Sequence, residues 1–412
     1  MDSYDVVVIG GGASGMMAAG RAAELGKRVL LLEKNKELGK KLAITGGGRC
    51  NILNAEEDVH ALLSMYGTSG KYLYSSFSQF GMRDSLRFFE ERGLPLKVEA
   101  RNRAFPQSEK ASDVVRVMRS YLEKGAVQVR FSVREFEFAL GEKRIESVSY
   151  NGETVRARSY IIAIGGNSHP ETGSTGDGFT LLKTLGFVVQ NPTPTIVPLR
   201  TKELWSHRLA GVTIADAKLS FYVDTKRVSA VRGPVLFTHF GLSGPTILNA
   251  AARVADMLHM GEVSLRIDTQ PDTDLGILDK KIVDVFNAAK NKQFKNAFAD
   301  IAPPGTAAHL LALLPNISPE MRVHSISREQ RRSIAVLLKT MPLSVAGLMG
   351  FDRAVVADGG LDVNELDMRT FATRKYPNLF VIGDLLHIRR PSGGYSLQLA
   401  WTSGYVSGTH AC

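Results

Sequence analysis

The chain has 412 residues, 44% of them apolar, and a net charge of +10 from 51 basic and 41 acidic side chains. That apolar share supports a buried core and excludes a disordered chain, and the length predicts two domains. Two cysteines, Cys50 and Cys412, are too few for a disulfide framework, and no apolar run reaches the ~20 residues of a membrane span.

The start, MDSYDVVVIG, lacks the basic flank and long apolar stretch of an export signal, so the expected location is cytoplasmic. It reads instead as a strand over Asp5 to Ile9, followed by glycines. Residues 14–25 have helical apolar spacing, and RVLLLE at Arg28 to Glu33 is a second buried run. Together they form a βαβ unit. Helices are predicted over 78–92 and 112–123, and strands over 128–133 and 155–164. NPTPTIVP, at Asn191 to Pro198, is punctuated by proline and reads as a domain crossing. Beyond it, KLSFYV and EVSLRI are β-like, whereas 275–338 is mostly helical. MPLSVAGLMG leads back to the first domain, and a short strand at 379–382 and a helix at 397–409 close the chain.

The pattern predicts a doubly wound α/β domain, residues 1–194 and 343–412, interrupted by a β-plus-helical insert at 195–342. The insert holds 19 Lys+Arg against 13 Asp+Glu, so most of the basic excess lies in about a third of the chain. Such an excess fits an anionic partner such as RNA, or a merely solvated surface.

The first chemical motif is Gly10-x-Gly12-x-x-Gly15, which includes Ala13 and Ser14. Gly10 permits the turn, Gly12 lets a pyrophosphate approach the backbone, and Gly15 packs helix on strand. The diphosphate then meets the free N–H groups of a helix N-terminus. Glu33 ends the second strand, where a carboxylate binds ribose hydroxyls; Lys34 follows it. A second glycine cluster, GKKLAITGGGRCNILN, follows about thirty residues on. A buried strand ends in Ile164-Gly165, and a distant one ends in Gly383-Asp384. An extended FAD needs such a second contact at the far end of the chain; NAD does not.

Five segments carry a resemblance: VVVIGGGASGMMAA, GKKLAITGGGRCNILN, FPQSEKASDVV, GSTGDG with FTHFGLSGPTIL, and GGYSLQLAW. The chain resembles bacterial two-dinucleotide-binding flavoproteins, namely the family of aminoacetone oxidase-like proteins, a bile-acid enone reductase and a ribosomal RNA dihydrouridine synthase. The resemblance implies an FAD domain built from both chain ends. It places Thr45, Gly46, Gly47, Gly48, Arg49, Cys50 and Asn51 along the flavin ring and ribityl chain, and Lys41 near the diphosphate or ring. It gives Val133 a backbone contact to adenine. Gly383, Asp384, Gly394, Tyr395, Ser396 and Leu397 close over the pyrimidine side. The chain departs from the family at Asp384, where Glu is usual, at His387 and Ser396, where Asp and Asn are usual, and in its Arg389-Arg390 pair.

FAD carries hydride chemistry itself, so the protein's share is binding, orientation and a proton. Cys50 and His387 are the candidate proton donors, with Tyr395 and His239 behind them. Arg49 beside Cys50 predicts a lowered thiol pKa; the alternative is a small residue packed under the flavin. His387 has the pKa range of a donor, or is a surface-loop histidine. Arg101, Arg103, His239, Arg389 and Arg390 are candidates for an anionic substrate. No metal-ligand spacing occurs. The expected function is an FAD-dependent oxidoreductase, transiently reduced by NAD(P)H, acting on a uracil of ribosomal RNA. The rivals are an oxidase or enone reductase of a small molecule, and a non-catalytic flavoprotein or RNA-binding factor.

Overall fold

A computed structural model describes residues 3–354 and 357–411. Two compact units emerge: Met1–Pro194 with Ala354–Cys412, and Thr195–Arg353. Each has its own apolar core.

The first unit is built on a parallel sheet. Its strands are β1 (Ser3–Ile9), β2 (Val29–Leu32), β3 (Gln128–Arg130), β4 (Glu153–Ile162) and β5 (Leu379–Val381). They lie in the order β5-β4-β1-β2-β3, every pair parallel. Val6, Val7 and Val8 and Leu30, Leu31 and Leu32 are buried without alternation, as a sheet covered on both faces requires. Helix α1 (Ala13–Glu24) crosses from β1 to β2 and packs on α2 (Ala111–Lys124) and α3 (Tyr395–His410). The α1–α3 contact is close because α3 offers glycine: a Cβ on Gly404 would stand 2.5 Å from the Ser14 carbonyl oxygen, and one on Gly408 2.4 Å from that of Ala18. Trp401, fully buried on α3, donates from Nε1 to the Ile52 carbonyl at 3.0 Å. The two chain ends are thereby fastened into one body.

The two crossing segments pair as antiparallel strands, Val189–Pro194 with Ala357–Leu361. The second unit contains a closed barrel of Leu199–Thr201, Gly241–Ser243, Lys226–Thr238, Thr213–Val223, Val263–Asp268 and Met341–Leu348, in that order around the wall. Helices Pro245–Met260, Leu275–Ala288 and Arg328–Lys339 accompany it. One boundary differs from expectation. MPLSVAGLMG does not return to the first unit; Met341–Leu348 closes the barrel between Leu199–Thr201 and Val263–Asp268, so the return falls at Ala354, not at 343. The predicted helix over 78–92 is two helices, Tyr74–Gln79 and Met82–Glu90. Cys412 lies outside the described residues. Among those residues, no helix is long and apolar enough to cross a membrane, and no three His, Cys, Asp or Glu side chains group to hold a metal.

Candidate cofactor site

The site begins at the turn after β1. Gly15 is forced by packing, since a Cβ there would lie 1.8 Å from the Gly10 carbonyl oxygen. Gly12, at the N-cap of α1, has open space where its side chain would stand, and no side chain caps the helix. The first-turn N–H groups therefore remain available to an anion. Glu33, buried after β2, accepts from Gly11 N at 2.6 Å, Asn35 N at 2.7 Å and Asn35 Nδ2 at 2.8 Å. Three of its four lone-pair sites are filled and one remains for a hydroxyl. The Val133 N–H is committed to the Glu33 carbonyl at 3.0 Å, so of its backbone pair only the carbonyl is left for an adenine contact. Lys34 points elsewhere: its ammonium meets Asp177 at 2.8 Å and Thr175 at 3.1 Å in an exposed pair.

The second glycine cluster forms an irregular turn over Leu42–Gly48, beginning just after Lys41. Gly46, Gly47 and Gly48 take φ of 58°, 67° and 86°, a left-handed run that side chains resist. All three are exposed, and nothing would stand near a Cβ on Gly47 or Gly48. The result is a stretch of bare backbone. The next two residues differ in their surroundings. Arg49 lies over the Phe105 ring at 4.3 Å and reaches Glu99 and Glu109, which Lys97 also engages. Its guanidinium is thus part of a surface ion cluster. Cys50 turns inward at φ 58° and is fully buried. Burial pushes its thiol up to about 12, opposed only by a hydrogen bond with Thr45. The direction is opposite to the one expected from Arg49, whose guanidinium is engaged with Glu99 and Glu109. Cys50 packs in the apolar core of the first unit. Asn51, with its amide turned to satisfy both ends, accepts from Gly394 N at 3.0 Å and donates to Leu53 O and Ala104 O. It ties this turn to the start of α3.

Gly394 has φ 102°, and a Cβ there would come 2.2 Å from the Leu53 carbonyl carbon. Like α1, α3 starts without a side-chain cap. Tyr395 is buried edge-on to Tyr66, whose hydroxyl donates to the Tyr395 carbonyl at 2.9 Å. Ser396 Oγ is buried with no partner. Leu397 packs against the core.

A group that sequence reasoning missed gathers around Asp384. Gly383 abuts Ser14 of α1, and its N–H donates to Ser403 Oγ of α3 at 3.2 Å. Gly165 lies close to Ser174. The Lys41 ammonium donates to Ser168 Oγ at 2.6 Å and to Asp384 Oδ2 at 3.0 Å. Asp384 Oδ1 faces Arg390 Nη1 at 3.3 Å. Burial alone would raise the Asp384 carboxyl, but the Lys41 and then the Arg390 charges outweigh it and hold it at about 2. Arg390 was expected to bind substrate. It is instead sealed, its side chain 0% exposed, and it donates to Ala357 O at 3.2 Å and Gly383 O at 3.4 Å. A side chain closed to solvent cannot meet an anionic substrate. Arg389 and His387, its neighbours, are exposed; the His387 N–H donates to Leu361 O. Arg101 is exposed, and Arg103 curls back to Ala100 O at 3.1 Å. His239 lies in the second unit, exposed and edge-on to Phe240.

A model of the HI0933-like protein Rossmann domain matches residues 4–410. The chain belongs to this family. It is an FAD-dependent oxidoreductase with a Rossmann-type FAD-binding domain. It is 28% identical over 407 residues to the 3-dehydro-bile acid delta(4,6)-reductase of Clostridium scindens, covering 98% of each chain. It is also 28% identical over 406 residues to the ribosomal RNA dihydrouridine synthase of Escherichia coli, covering 98% of this chain and 97% of that protein. A solved structure of 3-ketosteroid delta1-dehydrogenase from Sterolibacterium denitrificans superposes with a TM-score of 0.54 at 13% identity, over 100% of this chain and 99% of that one. This last likeness is one of fold.

The residues present fit FAD. Uncapped α1, the open side of Gly12 and the Lys41 ammonium suit a diphosphate. The spare lone pair of Glu33 suits a ribose hydroxyl. The bare backbone at Gly46 to Gly48 suits a flat ring.

Proposed function

We propose that the chain reduces a carbon–carbon double bond conjugated to a carbonyl, and that its substrate is a uracil of ribosomal RNA. The names of the two relatives support the reaction class, since a delta(4,6)-reductase and a dihydrouridine synthase both saturate such a bond. The observation that carries the RNA reading lies in the second unit. Gln293 and Arg322 pair as an antiparallel bridge, Val323 N donates to Lys292 O, and His324 Nδ1 meets Lys290 O at 2.9 Å. Lys290, Lys292 and Arg322 lie on these two joined segments, all three exposed, and none of them has a carboxylate partner among the described residues. A polyanion answers such a set; a neutral enone does not.

Bound FAD supplies the two-electron chemistry, drawn in this reading from NAD(P)H. The protein's own part is narrower. Lys41 and the first turn of α1 hold the diphosphate, and Glu33 holds the ribose. The glycines at 46–48 keep side chains off the ring. We assign proton delivery to His387, because burial disqualifies Cys50. The equal identity to the bile-acid enzyme favours a second reading, a small enone as substrate.

Two measurements decide. Anaerobic addition of NADH or NADPH is expected to bleach the flavin's visible band; no bleaching by either rejects the reductant. Mapping of dihydrouridine in ribosomal RNA from a strain lacking the gene is expected to show one site lost. An unchanged map, with turnover of a steroid-type enone by the pure protein, establishes the second reading instead.

A further inference from the structure

We propose that Arg390 is the resident counter-ion of Asp384, and that by holding this carboxylate it releases Lys41 to bind the cofactor's diphosphate. The Asp384 carboxylate takes two cations, one on each oxygen: Lys41 on Oδ2 at 3.0 Å and Arg390 on Oδ1 at 3.3 Å. The two differ in mobility. Lys41 is 22% exposed and lies two residues after Gly39 (φ 72°), at the edge of the glycine-rich turn. Arg390 is closed to solvent and is fixed by the carbonyls of Ala357 and Gly383. Asp384, which holds the Lys41 ammonium, follows Gly383 in the chain, and Gly383 abuts Ser14 in the first turn of α1.

A phosphate at the first turn of α1 competes with Asp384 for Lys41. Were Lys41 the carboxylate's sole partner, ceding it would strand a partly buried anion, and the cost would fall on cofactor binding. Arg390 removes that cost, because Asp384 stays paired whichever anion Lys41 serves. The three side chains carry a net charge of +1, so the cluster as a whole favours an added anion. Arg390 touches neither cofactor nor substrate in this scheme; it is a positioning residue acting through Asp384 and Lys41.

The test reads FAD binding to the deflavinated protein and is independent of the substrate. Arg390→Met is expected to weaken FAD on the order of tenfold, because Lys41 becomes locked on Asp384. Adding Asp384→Asn to Arg390→Met removes the lock and is expected to raise the affinity above that of Arg390→Met alone. Wild-type affinity in Arg390→Met, or no recovery in the double variant, overturns the proposal; the second outcome would mean that Arg390 only supports the fold. If Arg390→Met does not fold, reductively 13C-methylated wild-type protein gives the answer, since methylation keeps the lysine charge. The Lys41 methyl signal is expected to shift when FAD is added, and to shift likewise with ADP. A Lys41 signal unmoved by both ligands overturns the proposal.

Discussion

Asp384 shows how a single carboxylate ties pH to stability. Its folded pKa of about 2 lies below the ordinary 3.8, so the ion pairs stabilise the folded state above about pH 4. That contribution is lost as pH falls from about 4 through about 2, and a shift of this size is worth about 2 kcal/mol. Urea unfolding of deflavinated wild type and Asp384→Asn is therefore expected to differ at pH 6 and to converge towards pH 2. A difference that stays constant across that window would remove the ion pairs as its source. None of this cluster was legible as a cluster in sequence. Ser168 and Asp384 lie 127 and 343 positions from Lys41, and only the fold brings the three together. Arg390 was misread for the same reason: an arginine beside another arginine looks like a surface, and burial of its charge depends on a carboxylate six residues away. For Cys50 the sequence left two readings, a thiol lowered by Arg49 and a small packed residue, because it cannot show burial; the thiol is buried and Arg49 is engaged with Glu99 and Glu109. The glycines were legible, because a left-handed turn and a close backbone approach leave few other residues able to serve.

At the scale of elements, the β1–α1–β2 unit could be read directly, since unbroken apolar runs and helical spacing flank a glycine turn. The barrel could not. Its long strands, Thr213–Val223 and Lys226–Thr238, are only partly apolar in alternation, and its last strand is a proline-containing run that looks like a linker. The contact between α1 and α3 gives a sharper test of what holds the site together. In an isolated helix Gly→Ala stabilises by about 0.8–1 kcal/mol. At Gly408 the new Cβ meets the Ala18 carbonyl oxygen at 2.4 Å, and backbone cannot move aside as a flexible side chain can. Overpacking of this kind costs typically about 1–3 kcal/mol, so the clash wins. Gly408→Ala and Gly404→Ala are expected to lower the urea midpoint. They should also speed FAD release, because the helices they separate carry both uncapped N-termini at the site. A midpoint equal to or above that of wild type would show that the helices part without cost.

At the scale of the whole molecule, the chain divides its labour between two units with separate cores. The first unit holds every residue that fits FAD, and the second carries most of the net positive charge. Which unit selects the substrate is a question about that charge. Surface cations are often merely solvated, and those paired with carboxylates add little. Lys295 has Glu320 at 3.8 Å, and Arg331 has Asp279 at 2.7 Å. Lys290, Lys292 and Arg322 lack such partners among the described residues, which makes them the set on which to test the RNA reading. If that is RNA, each phosphate contact releases a counterion, and affinity falls with salt at about 0.7 in log–log slope per contact on single strands. Replacing all three by glutamine is expected to weaken binding to ribosomal RNA fragments and to reduce the salt slope by about 2. The bleaching of bound flavin by NADH or NADPH should be untouched, since none of the three belongs to the first unit. A slope unchanged by the triple substitution would detach these cations from RNA and shift the balance to the small-enone reading, for which salt has little effect on affinity.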